Sequence, residues 1–179
     1  MRALGLAHLQ FNAVGLELGY AYERGALVQT EAADRVPARQ PILEYKPTTR
    51  PGNRVPHARL ERDGLPVSSI DLVDGLQFAL LVGLDGNAWR DAAERASQAC
   101  GVDIAVRVIG SSTGIRDPYG EWGDRRQVTH SGAVLVRPDR HVGWRCRRAG
   151  DNSAQDLIAV LGVVLDRADQ RARVGSVRG

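Results

Sequence analysis

The sequence predicts an α/β fold in which helices flank a central mixed sheet. Residues 77–109 contain an apolar run, a helical stripe and a second β-branched run, which is the order of a βαβ unit. Residues 131–168 contain a hairpin pattern and then another helical stripe, which is a β-β-α order. Together these two observations predict one sheet with both parallel and antiparallel neighbours.

The composition is that of an ordinary globular protein. Hydrophobic residues make up 43% of the 179-residue chain and charged residues 25%, which allows one domain with an appendage. The net charge is only +3, so nucleic-acid binding is not expected. No apolar run reaches the roughly 18 residues of a membrane span and no secretory signal is evident, so we expect no membrane association and a cytoplasmic protein.

Residues 1–45 hold too few large apolar side chains to build a core alone. Met1–Phe11 follows neither the helical nor the strand period cleanly, whereas the alternation over Gly15–Tyr22 predicts an extended segment that continues to Val28. We therefore expect residues 1–45 to bridge to the rest of the chain or to a partner. Three prolines within residues 47–57 predict an ordered crossing segment, because proline disfavours helix and stiffens the backbone.

The predicted βαβ unit comes after Val67–Leu72, which indicates a short strand or an entry turn. The mostly apolar run Gln77–Val82 predicts a strand covered on both faces. Asn87–Cys100 places a tryptophan, four alanines and a cysteine on one helical face, with Asn87 as the N-cap and Gly101 just past the end. Asp103–Ile109 predicts the second strand, reached by a right-handed crossover.

The hairpin forms the centre of the second half of the chain. The preceding loop, residues 110–126, is expected to hold a short helix near Glu121. Ala133–Val136 and His141–Arg145 predict the two strands. Arg137–Arg140 supplies the turn, since proline fixes φ and aspartate bonds back to the backbone.

A final helix is predicted over Ser153–Ala168, where Ser153 and Asp156 have the spacing of a capping box. Residues 171–179 are arginine-rich and are expected to fray. The complete order, βαβ and then ββα, is that of a thioredoxin-like domain, which we place at residues 46–170.

A thioredoxin-like fold raises the question of thiol chemistry, which the two cysteines do not favour. Cys100 and Cys146 form no CxxC pair, so two reduced, separate thiols are expected. Cys100 falls at the C-terminal end of the predicted helix, where the helix dipole disfavours a thiolate. Cys146 has arginines on both sides but no nearby cysteine to resolve a disulfide.

Two arginines in the proline-rich segment are candidates for binding an anion. Arg50 and Arg54 could hold a phosphate or carboxylate through bidentate hydrogen bonds. The alternative, which we favour, is that they form ion pairs with Asp71, Asp74 or Glu61.

The remaining polar candidates each have a structural alternative. His57 could be a general base or a ligand to a flavin or substrate, or a hydrogen-bonded residue that fastens the proline-rich segment. Arg137 and Asp139 belong to the hairpin turn, and His141 is expected to pack across strands. Trp144 is expected in the core or at an interface. We expect no catalytic, cofactor-binding or metal-binding residue in this chain.

Five stretches carry a resemblance to a known family: FNAVGLELGYAY from Phe11, PTTRPGNRVPHARL from Pro47, SSIDLVDGLQFALLVG from Ser68, IGSSTGIRDPYGEW from Ile109 and GAVLVRPDRHVGWR from Gly132. They cover nearly the whole chain up to the final helix. In combination they resemble the C-terminal region of flavin-dependent aromatic-ring hydroxylases of the 2,4-dichlorophenol 6-monooxygenase (phenol hydroxylase-like) type.

The resemblance implies a thioredoxin-like C-terminal domain from an enzyme that also has FAD-binding and substrate domains. Members of the family reduce FAD with NAD(P)H, form a flavin hydroperoxide with O₂ and transfer one oxygen to a phenol ring. A dinucleotide site needs glycines that open a helix just after a strand, whereas the glycines of GLELG at Gly15 have the wrong spacing. We therefore expect no cofactor in this chain, which would be a remnant or a separately encoded C-terminal part.

Three hypotheses for the function remain. The first is a structural and assembly domain that forms a homodimer or docks on a separate flavin-binding subunit. The second is part of an active hydroxylase whose FAD portion is encoded separately. The third is a binding protein that holds a phenolic small molecule in a cleft between the proline-rich segment and the sheet.

Overall fold

The structure, a computed structural model, describes residues 17–30, 45–110 and 114–167. The predictions for Met1–Phe11 and for residues 171–179 lie outside these ranges. The strands of the described part are β1 (Arg59–Arg62), β2 (Leu65–Ser68), β3 (Phe78–Val82), β4 (Ile104–Val108), β5 (Ile115–Arg116), β6 (Ala133–Val136) and β7 (Val142–Cys146). The helices are α1 (Ala88–Cys100), α2 (Glu121–Arg125) and α3 (Ser153–Val164), with a 3-10 helix at Ser69–Leu72.

The larger sheet is mixed and has the strand order β4–β3–β6–β7. β3 and β4 are parallel neighbours connected through α1, while the β3–β6 and β6–β7 pairs are antiparallel. The parallel βαβ pairing and the hairpin that the sequence predicts are therefore confirmed. The two central strands, β3 and β6, are buried along their whole length, as their apolar runs require.

Two hydrophobic cores lie on opposite faces of the larger sheet. Because successive side chains of a strand alternate between faces, Leu80 and Leu135 belong to one core while Leu81 and Val134 belong to the other. The first core is covered by α1 and α3, which pack against each other. The second is covered by β1, β5, the 3-10 helix and α2. Both long helices thus share one face, and the five-residue α2 accompanies a small sheet on the other.

That small sheet is antiparallel, has the order β2–β1–β5, and has no counterpart in the sequence prediction. β1 carries one buried apolar side chain, Leu60, among charged neighbours, and β2 contains Pro66, so neither shows a strong strand pattern. Asp63 and Gly64, both with positive φ, form the turn between them. Val67–Leu72 contributes both to β2 and to the 3-10 helix.

The proline-rich segment is ordered, as predicted, and runs beside the start of β7. The Gly52 amide donates a hydrogen bond to the Val142 carbonyl at 2.8 Å, and the Val142 amide donates to the Asn53 carbonyl at 2.8 Å. The Val55 amide donates to the Arg140 carbonyl at 2.9 Å. These backbone hydrogen bonds fasten the segment to the hairpin.

Gly52 allows a second layer of chain to lie on this segment. The Tyr22 amide donates to the Gly52 carbonyl at 2.9 Å, and the Val28 amide donates to the Gly143 carbonyl at 2.8 Å. Gly52 has a φ of +96°, and a Cβ there would overlap the Tyr22 carbonyl oxygen and lie 3.3 Å from Leu27 Cδ2. Both the backbone conformation and the close approach therefore require glycine.

The ends of α1 agree only in part with the sequence prediction. Gly101 adopts a left-handed conformation with φ of +62°, and its amide donates to the Ser97 carbonyl at 2.8 Å, as expected of a glycine at a helix end. Asn87 occupies the N-cap position, as predicted, but does not cap the helix with its side chain. Its backbone is already helical and its side chain makes no capping hydrogen bond.

The capping box predicted at Ser153 and Asp156 is also wrong. The Ser153 hydroxyl instead donates to the Gly150 carbonyl at 2.7 Å and accepts from the Gly150 amide at 3.1 Å, a local turn that competes with capping. The helix ends at Val164, earlier than predicted, and Asp166 has a φ of +54° that does not continue it.

The short helix predicted near Glu121 is confirmed as α2, and Glu121 ties it to β1. Its carboxylate accepts from the Arg59 amide at 2.8 Å and from the Arg59 guanidinium at 2.6 Å. Arg125 donates to the same carboxylate at 2.9 Å and to the His57 carbonyl at 2.5 Å. These contacts, the Arg59 backbone hydrogen bond foremost, lower the pKa of Glu121 from 4.5 to about 2.

Replacing Gly52 with alanine should destabilise the fold. The added methyl group meets the Tyr22 carbonyl at a backbone conformation that alanine disfavours, so we expect a loss of about 3 kcal/mol or more in the free energy of unfolding. Gly64→Ala is the matched control, because Gly64 has a φ of +83° but open space around it. The control should lose only about 1–2 kcal/mol. Urea denaturation measures both, and equal losses would contradict the role of close approach.

Stability should fall in acid through Glu121. Its pKa in the folded protein is lower than in the unfolded chain, so its contribution is complete above pH 4.5 and is lost as the pH falls towards 2. Glu121→Gln should therefore lower the thermal midpoint at pH 7 and flatten its pH dependence in that window. Glu94→Gln, at an exposed position of α1, is the control and should keep the wild-type profile. An unchanged profile in Glu121→Gln would disprove this assignment.

Candidate functional site

The turn between β6 and β7 brings together four of the side chains that the sequence singled out. Arg137 and Asp139 form an ion pair across the turn. The His141 amide donates to the Asp139 carboxylate at 3.2 Å, and His141 Nδ1 lies 3.1 Å from the Asp139 carbonyl oxygen. Arg54 reaches the same place because its backbone forms an antiparallel bridge with His141.

Two tyrosines from residues 17–30 complete this cluster. The rings of Tyr22 and His141 meet edge to face with centroids 4.9 Å apart, and Tyr20 meets Tyr22 in the same way at 5.1 Å. The Arg137 guanidinium lies over the Tyr22 ring at 5.6 Å and also donates to the Ala26 carbonyl at 3.1 Å. Arg137 is thus fixed by a carboxylate, a carbonyl and an aromatic ring.

The tyrosines were missed as candidate site residues, although the sequence holds a signal. In the extended segment predicted over Gly15–Tyr22, alternate residues share one face, which places Tyr20 and Tyr22 together. The prediction is wrong at Glu17 and Leu18, which are helical and in a turn, respectively. The structure leaves both tyrosines exposed, with relative exposures of 56% and 38%. We call these two residues the tyrosine patch.

His57 belongs to a separate cluster on the small sheet. Its Nδ1 lies 2.7 Å from the Ser68 hydroxyl, which also accepts from the Ile70 amide. Asp71 accepts from the Ser68 amide at 3.2 Å, so Ser68 and Asp71 form a capping box for the 3-10 helix. The arrangement links His57, at the end of the proline-rich segment, to β2.

The three carboxylates predicted to pair with Arg50 and Arg54 have other partners. These carboxylates are Glu61, Asp71 and Asp74. Glu61 pairs with Arg116 at 3.2 Å, and Asp71 caps the 3-10 helix. Asp74 accepts from the Leu76 amide at 3.1 Å and from Gln77 at 2.8 Å, which lowers the pKa of Asp74. Asp71 and Asp74 thus have partners close to them in the sequence, whereas Glu61 is held by the distant Arg116.

The positive charge of Arg54 instead affects the pKa of a tyrosine, Tyr45. Burial raises the pKa of the half-buried Tyr45 hydroxyl, while the positive charges of Arg54 and Arg125 oppose that rise. Arg50 lies beside a small cavity of about 110 Å³ together with Pro51 and Tyr22. This cavity lies between the proline-rich segment and residues 19–29, whereas the expected cleft was between that segment and the sheet. Pro51–Asn53 themselves are buried.

A larger groove of about 450 Å³ lies between residues 28–30, β7 and α3. Val28, Val160 and Val163 form its apolar walls, and Trp144 also lines it. Trp144 is 3% exposed, as expected of a core residue, and its indole N–H has no hydrogen-bond acceptor within the described structure. Its ring meets that of Trp89 edge to face at 5.9 Å.

Neither cysteine forms a disulfide, as predicted. Cys100 is buried at the C-terminal end of α1, with Sγ 4.0 Å from the Ile158 carbonyl oxygen. Cys146 Sγ lies 2.9 Å from the Arg148 carbonyl oxygen. Both thiols therefore lie against backbone acceptors.

The cluster at the hairpin turn combines exposed tyrosines with an arginine held by a carboxylate, a carbonyl and an aromatic ring. Within the described ranges, no group of three or more histidine, cysteine, aspartate or glutamate side chains could hold a metal ion. No helix in the same ranges is long and apolar enough to cross a membrane.

Comparisons with known proteins agree with one another. The family model for the aromatic-ring hydroxylase C-terminal domain matches residues 48–168. The chain is 37% identical over 159 residues to phenol 2-monooxygenase of Pseudomonas sp. (strain EST1001), covering 89% of this chain and 26% of that protein. It is 37% identical over 155 residues to 2,4-dichlorophenol 6-monooxygenase of Delftia acidovorans, covering 87% and 26%.

The structural comparison gives the same result. The crystal structure of the flavin-dependent monooxygenase PieE with FAD and substrate matches with a TM-score of 0.82 and 46% identity, covering 92% of this chain and 28% of that one. Aklavinone-11 hydroxylase with FAD and aklavinone matches with a TM-score of 0.72 and 38% identity, covering 83% and 26%. The chain thus spans about a quarter of the length of its relatives, and it belongs to the aromatic-ring hydroxylase C-terminal domain family.

Proposed function

We propose that this chain is the structural and assembly domain of a FAD-dependent aromatic-ring hydroxylase and is not catalytic alone. The observation that carries the proposal is the close match to about a quarter of the PieE structure, at a TM-score of 0.82. The described clusters support it, because they tie segments together through backbone carbonyls, amides and aromatic rings. The aromatic substrate, FAD and NAD(P)H would then bind to the remaining part of the enzyme.

The residues of this chain do not fit FAD at the place where a dinucleotide site would be expected. That place is the turn from β3 into α1, which contains Gly83 and Gly86. A Cβ on Gly83 would lie 2.5 Å from the His130 carbonyl oxygen, and one on Gly86 would lie 2.8 Å from Val82 Cβ. These glycines make room for the protein's own chain, so they leave no cradle for a pyrophosphate.

The thioredoxin-like description remains part of the proposal. The mixed sheet, the parallel β3–β4 pair joined by α1 and the following hairpin and helix support it. The proposed boundaries are a bridging segment at 1–45, the domain at 46–170 and a tail at 171–179. The family match over 48–168 supports the middle range.

Two alternatives remain. In the first, the chain is part of an active hydroxylase whose FAD portion is encoded separately. A small-molecule binding protein would use the groove beside β7, where the Trp144 indole N–H could donate to a phenolic oxygen.

The test uses the purified chain and a chimera. The chain alone should retain no FAD after gel filtration and should not accelerate NADPH oxidation with phenol. A chimera in which this chain replaces the matching quarter of phenol 2-monooxygenase should retain FAD and hydroxylate phenol. Autonomous flavin binding by the chain, or a chimera that loses FAD, would overturn the proposal. Quenching of tryptophan fluorescence by phenol in the isolated chain would favour the binding protein.

A further inference from the structure

We propose that the tyrosine patch is the surface by which this domain docks on the flavin- and substrate-binding part of the hydroxylase. The complementary surface would offer an apolar hollow for Tyr20 with carboxylates around it. This inference rests on the proposed function and names the contact through which assembly takes place.

The first argument is an exposed side chain next to a fastened backbone. Tyr20 is 56% exposed, and the two residues that follow it are bonded to the proline-rich segment. Ala21 bridges Asn53, and the Tyr22 amide donates to the Gly52 carbonyl at 2.9 Å. An aromatic side chain held out by a fixed backbone loses little conformational entropy on binding, which favours an interface.

The second argument is the chemical character of the patch. Tyrosine and arginine are enriched among the residues that contribute most to protein interfaces. Tyr20 stands edge to face on Tyr22, and Tyr22 in turn lies under Arg137 and against His141. The side chains that a partner would meet are therefore already in one arrangement before binding.

The third argument is charge. The described segments that form and border the patch, residues 17–24, 50–54 and 137–141, carry more arginines than acids. The arginines are Arg24, Arg50, Arg54, Arg137 and Arg140, and the acids are Glu17, Glu23 and Asp139. This excess of positive charge favours a partner surface with carboxylates at its rim.

The fourth argument identifies the occupant. The family match is to a C-terminal domain that starts at residue 48, so the additional chain of the longer relatives lies on its N-terminal side. The 159-residue match to phenol 2-monooxygenase is longer than residues 48–179, so it includes sequence that precedes the family domain. The patch lies in this preceding sequence, on the N-terminal side of the domain, where the rest of such an enzyme would be connected.

The experiment measures nitration of tyrosines by tetranitromethane, mapped by mass spectrometry, in the isolated chain and in the phenol 2-monooxygenase chimera. Tyr20 should react in the isolated chain and lose most of its reactivity in the chimera. Tyr119 is the internal control, because it is 66% exposed and far from Tyr20 in the sequence. It should react in both the isolated chain and the chimera. Tyr20 that remains equally reactive in a chimera that holds FAD would overturn the docking surface and leave the proposed function intact.

Charge is tested by substitution at Tyr20. Tyr22, which is 38% exposed, should also lose reactivity in the chimera. Tyr20→Glu should restore that reactivity, because a carboxylate would meet the carboxylates of the partner, whereas Tyr20→Arg should restore less. Leu65→Glu, at an exposed position of β2, should have no effect. Equal effects of the two Tyr20 variants would contradict the acidic rim.

Protection of Tyr20 that grows with the concentration of the isolated chain would show that a second copy covers the patch, and would overturn the proposed partner.

Discussion

The fold depends on the complete burial of β6. Its four residues, Ala133–Val136, have no exposed surface, and each pairs with β3 on one side and with β7 on the other. Because side chains alternate, the same strand supplies Ala133 and Leu135 to the core under the helices and Val134 and Val136 to the core under the small sheet. A one-residue slip would exchange the two sets, so the register of this strand determines both cores at once.

The burial of β6 also determines where the polar residues emerge. The strand ends at Val136, and the chain must turn within residues 137–141 to return as β7. The turn therefore projects Arg137, Asp139 and His141 beyond the edge of the core, where residues 17–30 and the proline-rich segment can reach them. The polar cluster at the hairpin turn is thus a consequence of a short, fully apolar strand that is followed by a polar turn.

Most of the larger sheet could be predicted because its signals are local. The apolar runs of β3 and β6, the alanine-rich face of α1 and the left-handed Gly101 are each evident within a short stretch of sequence. The small sheet could not be predicted, because β1 has one buried side chain and β5 only two residues. Such strands exist through long-range pairing, which a single sequence does not display.

The candidate site shows the same limit. The turn residues were predictable from proline and aspartate chemistry. The partners of Arg50 and Arg54 were not, since local amides hold Asp71 and Asp74 and the distant Arg116 holds Glu61. Ser153 gives a related lesson, because its hydroxyl preferred the Gly150 turn to the helix terminus. The tyrosine patch required knowing that Gly52 places residues 17–30 against the hairpin.

β4 is an edge strand of the larger sheet, and its neighbour in that sheet is β3. Its outer rim of amides and carbonyls is a template on which another chain could assemble. The sequence IAVRV interrupts an otherwise aliphatic strand with Arg107, whose Nε donates to the Leu72 carbonyl at 3.4 Å. A cation at the middle of an edge strand disfavours the lateral stacking of identical strands.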